Sequence, residues 1–231
     1  MTKVDIVDAL RKRFGYTRYL ELTCDVTGHR YAEAKAVGFA TCMRLVYNAP
    51  EGMHRDGLPT DFWSPTSDIL ACLAEIERQA LTFDVMLVDS YHAYDVSLRD
   101  LRAAYQLTRR GGAIVIHDCL PPRKETASPL SRDGEWCGVS YRAFLDFCLA
   151  NPAFDYFTID TDYGCGVIIK STSPTRVGKN MIRAIRQRSL AREWKRVGAN
   201  YDTLFELLQR RKFELLRLGG PALLDHKLSA Y

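Results

Sequence analysis

Four residues bring acid, base and ligand chemistry together at short spacing: Asp89, His92, His117 and Asp118. An imidazole with an ordinary pKa of about 6.5 suits proton removal from a hydroxyl, so His92 and His117 are both candidate general bases. Asp89, His117 and Asp118 together offer oxygen and nitrogen ligands to a divalent ion such as Mg2+. Plainer roles stay open beside these: Asp89 as a helix cap or solvated carboxylate, His92 as a structural histidine. Adjacent residues on a strand point to opposite sides, so at most one of His117 and Asp118 is expected to face a shared crevice. Cys119 reads as a small packing residue rather than a nucleophile. Trp136, Tyr141 and Tyr163 border a long Pro- and Ser-rich stretch and are either an aromatic wall for a substrate or core anchors.

The elements that must position these residues are legible from apolar periodicity. Phe83 to Asp89 is a continuous apolar run ending in a carboxylate, and Ala113 to Ile116 is a second one ending at His117-Asp118. Both read as central parallel strands buried on two faces. Tyr19 to Leu22 and Met43 to Tyr47 are two further strands, the second stopped by Asn48 and the Pro and Gly that follow. A loop bearing His54, Arg55 and Asp56 comes next, and Ser67 and Asp68 are candidate caps for a helix through Ile69 to Ala80. A helix from Ser97 to Arg109 is expected to close at Gly111-Gly112. Residues 154–160 and 166–169 read as an antiparallel hairpin at a sheet edge. Val4 to Phe14 is an amphipathic helix ended by Gly15, expected to pack on a sheet edge with its basic side outward. Alternating strands and helices imply an α/β fold in which ligands sit beyond the carboxyl ends of parallel strands.

Composition bounds the rest. At 231 residues with 47% hydrophobic and 26% charged residues, the chain supports one large domain with an appendage. A net charge of +4 favours an anionic ligand without indicating a nucleic-acid partner, which is not expected. Seven cysteines, odd in number and never spaced CxxC, suggest neither disulfides nor a zinc ribbon but reduced thiols in a cytoplasmic setting. No segment has the length and apolarity of a signal peptide or a membrane span. The division expected is 1–172 for the α/β domain and 173–231 for a basic helical extension. That extension is either a solvated face or an arm for homo-oligomerisation.

The segments FDVMLVDSYHAY and SLRDLRAAYQLTRRGGAIVIHDCLPP, with YLEL at Tyr19 and the hairpin TIDTDYGCGVII, resemble a bacterial subgroup of class I methyltransferases that use S-adenosylmethionine (SAM). In that subgroup one strand ends in Asp-x-x-His-x-Tyr and the next in His-Asp-Cys. The resemblance covers roughly the first 170 residues, in order and with the right separations. It implies a Rossmann-like methyltransferase sheet with helices on both faces, and O- or N-methylation of a small molecule or glycan. It also implies a cofactor site drawn from Glu21, Thr23, Cys24, Asp25, Asn48, Ser67, Asp68 and Asp89. Thr23 stands where the family has glycine, which should narrow the cofactor loop, and Asn48 stands where an acid commonly holds the ribose hydroxyls. These departures motivate two alternatives: a binding or scaffold protein on the same fold, and a metal-assisted enzyme with other chemistry.

Overall fold

A computed structural model describes residues 1–48, 60–151, 154–170 and 181–229. The loop carrying His54, Arg55 and Asp56 lies outside the described residues, as does the segment 171–180. Among the described residues, eight strands form one sheet: β1 (Arg18–Thr23), β2 (Thr41–Val46), β3 (Phe62–Trp63), β4 (Phe83–Asp89), β5 (Thr108–Ile116), β6 (Asp155–Ile159), β7 (Cys165–Ile169) and β8 (Leu218–Gly219). Their order is β3-β2-β1-β4-β5-β7-β6-β8. β1 to β5 pair in parallel, while β7 runs antiparallel to both β5 and β6. The apolar runs at 83–89 and 113–116 thus become neighbouring central strands, as their lack of polar alternation requires.

The sheet carries helices on both faces. On one, α3 (Leu70–Arg78), α4 (Tyr94–Leu107), α5 (Ser140–Ala150), α6 (Met181–Val197) and α7 (Tyr201–Leu215) bury residues such as Ile76, Leu101, Phe144, Trp194 and Leu208 against Leu20, Met86, Ile114 and Ile168. On the other, α1 (Lys3–Phe14), α2 (His29–Ala36) and α8 (Pro221–Ser229) pack Ile6, Leu10, Tyr31 and Leu224 against Tyr19, Val85, Val115 and Val167. No helix among the described residues is long and apolar enough to cross a membrane.

Three local expectations are corrected. The helix before β5 ends at Leu107, not at the Gly-Gly pair, because Thr108 turns extended and its hydroxyl donates to Ala104 O at 2.7 Å. Gly111 instead lies inside β5 with φ 79, where its N–H donates to Lys170 O. The α3 cap is Ile69, with Asp68 Oδ1 accepting the Leu70 N–H at 3.0 Å. Finally, α1 lies over the central strands β4 and β5 and touches α2 and α8 rather than a sheet edge. Its four core residues, Val4, Ile6, Val7 and Leu10, are buried there in one cluster with Val85, Leu87, Ala113 and Val115.

Candidate active site at the strand ends

β4 and β5 end side by side, and their last residues meet. Alternation along β4 sends Val85, Leu87 and Asp89 toward α1, and alternation along β5 sends Ala113, Val115 and His117 the same way. His117 Nδ1 accordingly lies 3.2 Å from Asp89 Oδ1. The expectation that at most one of His117 and Asp118 faces a shared crevice fails. β5 stops at Ile116, and Asp118 takes a left-handed backbone with φ 59, which breaks the alternation. Its Oδ2 comes to 2.9 Å from His117 Nδ1 and 3.3 Å from His92 Nδ1, so Asp118 bridges the two imidazoles.

The imidazoles sit in opposite electrostatic surroundings. Burial by itself lowers the His117 pKa, but Asp89, Asp118 and Asp162 outweigh it and raise the group well above its ordinary value. Asp162 Oδ1 lies 3.3 Å from His117 Nε2, an ion-pair contact not aligned as a hydrogen bond. Asp89 is held far below the usual carboxylate range, because His117 and Lys3 overcome its burial. His92 is lowered: burial dominates the pull of Asp118 and Asp89. Its Nδ1 is 3.3 Å from Ser140 Oγ at the start of α5, and Trp136 covers its ring edge-on with centroids 5.2 Å apart. At neutral pH His117 is therefore the cation and His92 the free base.

The aromatic candidates divide. Trp136 sits against His92 and Tyr91, and Tyr163 is exposed beside His117 with its hydroxyl donating to Glu135. Tyr141 is fully buried against Trp194 and is a core anchor.

The expected cofactor residues fall into two groups. Thr23 is the register partner of Asp89, and the Cys24 N–H lies 3.4 Å from Asp89 O, so the β1 end adjoins the histidine cluster. Thr23 is buried and its hydroxyl accepts the Asp25 N–H at 2.9 Å. Asp25 Oδ1 in turn accepts from the Thr27 N–H and hydroxyl, and Gly28 leads into α2 with φ 65. Gly28 offers α2 no side-chain cap, and the first helical N–H, of His29, reaches Thr27 Oγ1 at 3.5 Å. Arg44, fully buried on β2, donates to Asp25 O at 2.6 Å and keeps two guanidinium nitrogens unpaired. The second group lies beyond β2 and β3: the Asn48 N–H donates to Thr66 O, and Ser67 O accepts from Arg99. Glu21 is apart from both. It lies two residues inside β1, buried, with Tyr19 OH donating to it at 3.4 Å, so it has no surface to offer a ligand.

Asp89, His117 and Asp118 each place one ligand atom within 4.8 Å of the others. Those atoms are already engaged: His117 Nδ1 lies against both carboxylates, and Lys3 Nζ reaches Asp89 Oδ2 at 2.6 Å. With Lys3 seated there, the donor set does not fit a divalent ion. Lys3, Asp162 and Ser140 are the site residues that sequence reasoning missed. Asp162 falls within the hairpin segment read from the sequence, and Lys3 lies just before the helix expected from Val4 to Phe14.

Residues 24–119 match the sequence model of a family described as a methyltransferase domain. No curated protein matches the chain by sequence. Among solved structures, an O-methyltransferase from Bacillus cereus in complex with SAH is similar, with a TM-score of 0.53 at 16% identity, over 73% of this chain and 80% of that one. The O-methyltransferase TomG from Streptomyces achromogenes, involved in tomaymycin synthesis and solved with SAM, gives 0.52 at 16% identity, over 73% and 79%. The chain thus has the Rossmann-like fold of these methyltransferases.

Proposed function

We propose that this chain is a SAM-dependent methyltransferase acting on a hydroxyl or amine of a small molecule or glycan, with His92 taking the acceptor proton. The observation that carries this reading is the convergence of Asp89, His92, His117 and Asp118 at two adjacent strand ends, inside the segment that matches a methyltransferase domain. Ligands of open α/β sheets bind at such carboxyl ends. Thr23, Cys24 and Asp25 on one side and Asn48, Ser67 and Asp68 on the other would hold the cofactor, with Asp89 between them. When bound, SAM supplies an electrophilic methyl group.

The chain's own residues would then do two things. They hold the acceptor in line, where positioning supplies much of the rate, and they accept its proton. With a proton on Nδ1 donated to Ser140 Oγ, beside the Asp118 carboxylate, His92 presents the Nε2 lone pair, and burial keeps that nitrogen unprotonated at neutral pH. His117, held cationic, orients Asp89 and Asp118 and leaves proton removal to His92. No step of this reading uses a metal ion. A second reading, binding without transfer, is favoured by Thr23 and Asn48 standing where the resemblance expects a glycine and an acid.

Calorimetric titration with S-adenosylhomocysteine tests the reading. Micromolar binding is expected, and no binding at millimolar ligand would sink the methyltransferase assignment. His92→Asn should keep that binding and lose about 100-fold or more of the transfer rate, in the range of general-base contributions. Unchanged turnover in this variant would remove His92 from the chemistry, and binding without transfer to any hydroxyl or amine would favour the second reading.

A further inference from the structure

Lys3 opens α1, yet its side chain is only 7% exposed and its Nζ lies 2.6 Å from Asp89 Oδ2. Its backbone N–H donates to Asp162 Oδ2 at 3.1 Å, which ties the start of the helix to the turn after β6. Two cations, Lys3 and His117, are thereby set among three carboxylates, Asp89, Asp118 and Asp162. The burial that would by itself lower the Lys3 pKa is outweighed by Asp89, so the ammonium keeps its charge. The same Asp89, His117 and Asp118 atoms have the compactness of a three-ligand metal site. A divalent ion entering it would meet an ammonium in contact with one of its ligands, a repulsion that falls only slowly with distance in partly buried surroundings.

We infer that Lys3 Nζ stands in the place of a divalent cation, so that this carboxylate cluster is metal-independent and Lys3 is a positioning residue that fixes Asp89 for its contact with His117. The chain would carry its own counter-cation on α1. Such a design needs no ion from solution, and it ties the geometry of the β4 and β5 ends to the docking of one helix.

Mn2+ titration of the full chain, followed by electron paramagnetic resonance, tests this on the unaltered protein and on Lys3→Ala, Lys3→Gln and Asp89→Asn. The unaltered chain should show no stoichiometric Mn2+ site. Lys3→Ala and Lys3→Gln should each acquire one, at least about tenfold tighter than any binding by the unaltered chain, and adding Asp89→Asn should abolish it. A merely structural lysine would not produce that gain. A stoichiometric Mn2+ site in the unaltered chain that Asp89→Asn removes would overturn the inference, as would folded Lys3 variants that acquire no site. The 15N resonance of Lys3 Nζ gives the same decision without a variant: unmoved by millimolar Mg2+, it supports the inference, and displaced, it overturns it. Each readout is independent of S-adenosylhomocysteine binding, so failure here and failure of the methyl-transfer reading are told apart.

Discussion

Glu21 shows what the charged cluster costs the fold. It is buried inside β1, and that burial, reinforced by Asp89, pushes its carboxyl up from 4.5 to about 7. A folded pKa above the unfolded one means that ionisation opposes folding, so this group's penalty is absent below pH of about 4.5 and grows until the pH passes 7. Glu21→Gln keeps an acceptor for Tyr19 OH and removes the charge. At pH 8 it should stabilise the protein by up to roughly 3 kcal/mol, from 1.36 kcal/mol per pKa unit, and at pH 4 by nearly nothing. Urea unfolding at the two pH values reads the difference, and an equal effect at both would show that Glu21 does not titrate in this range. His117 has the same sign for a different reason: its raised pKa contributes stability that is complete below about 6.5 and is lost as the pH rises through the folded value.

At the scale of elements, the segment between β5 and α5 decides where His92 sits. The Val139 N–H donates to His92 O at 2.9 Å, and Gly138 before it has φ 54. A Cβ on Gly138 would lie 2.3 Å from His92 O and 2.4 Å from His92 Cβ, so no side chain fits without moving the histidine. Gly134, with φ 85, has nothing within 4 Å of such a Cβ. Both Gly→Ala changes should cost about 1–2 kcal/mol of backbone strain. Only Gly138→Ala should also lower methyl transfer, by about tenfold or more, since a misplacement near 1 Å costs up to that scale and beyond. Thermal melts and transfer rates on the pair separate the two effects, and equal rates would show that this contact does not hold the base.

For the whole molecule, the question is whether 173–231 stands apart from the α/β domain. Leu190, Trp194, Leu204 and Leu208 belong to the same core cluster as Leu20, Met86 and Ile114, and β8 adds to the sheet beside β6. The apolar side of these C-terminal helices is thus packed against the chain's own sheet. Trp194 is 2% exposed, meets Tyr141 edge-on and donates to Asp146 Oδ1 at 2.7 Å. Trp194→Ala should cost about 3–5 kcal/mol and lower the melting of the entire protein in one calorimetric transition. Two separated transitions would instead mark the C-terminal helices as an independent unit.

Strand runs, helix periodicity, the Gly15 cap and the placement of Asp89 and His117 at strand ends were determined by the sequence itself, because backbone propensity and burial act over a few residues at a time. The same local rules let at most one of His117 and Asp118 face the crevice, and the left-handed φ of Asp118 breaks the alternation that they assume. They also gave no sign of Lys3, since its role depends on α1 docking over the sheet centre, 86 residues from Asp89 in the chain. Which of two equivalent histidines is neutral was likewise decided only in three dimensions. Charge at His92 and His117 is set by the number of carboxylates around each ring and by how deeply each is buried, and long-range packing alone brings those carboxylates together.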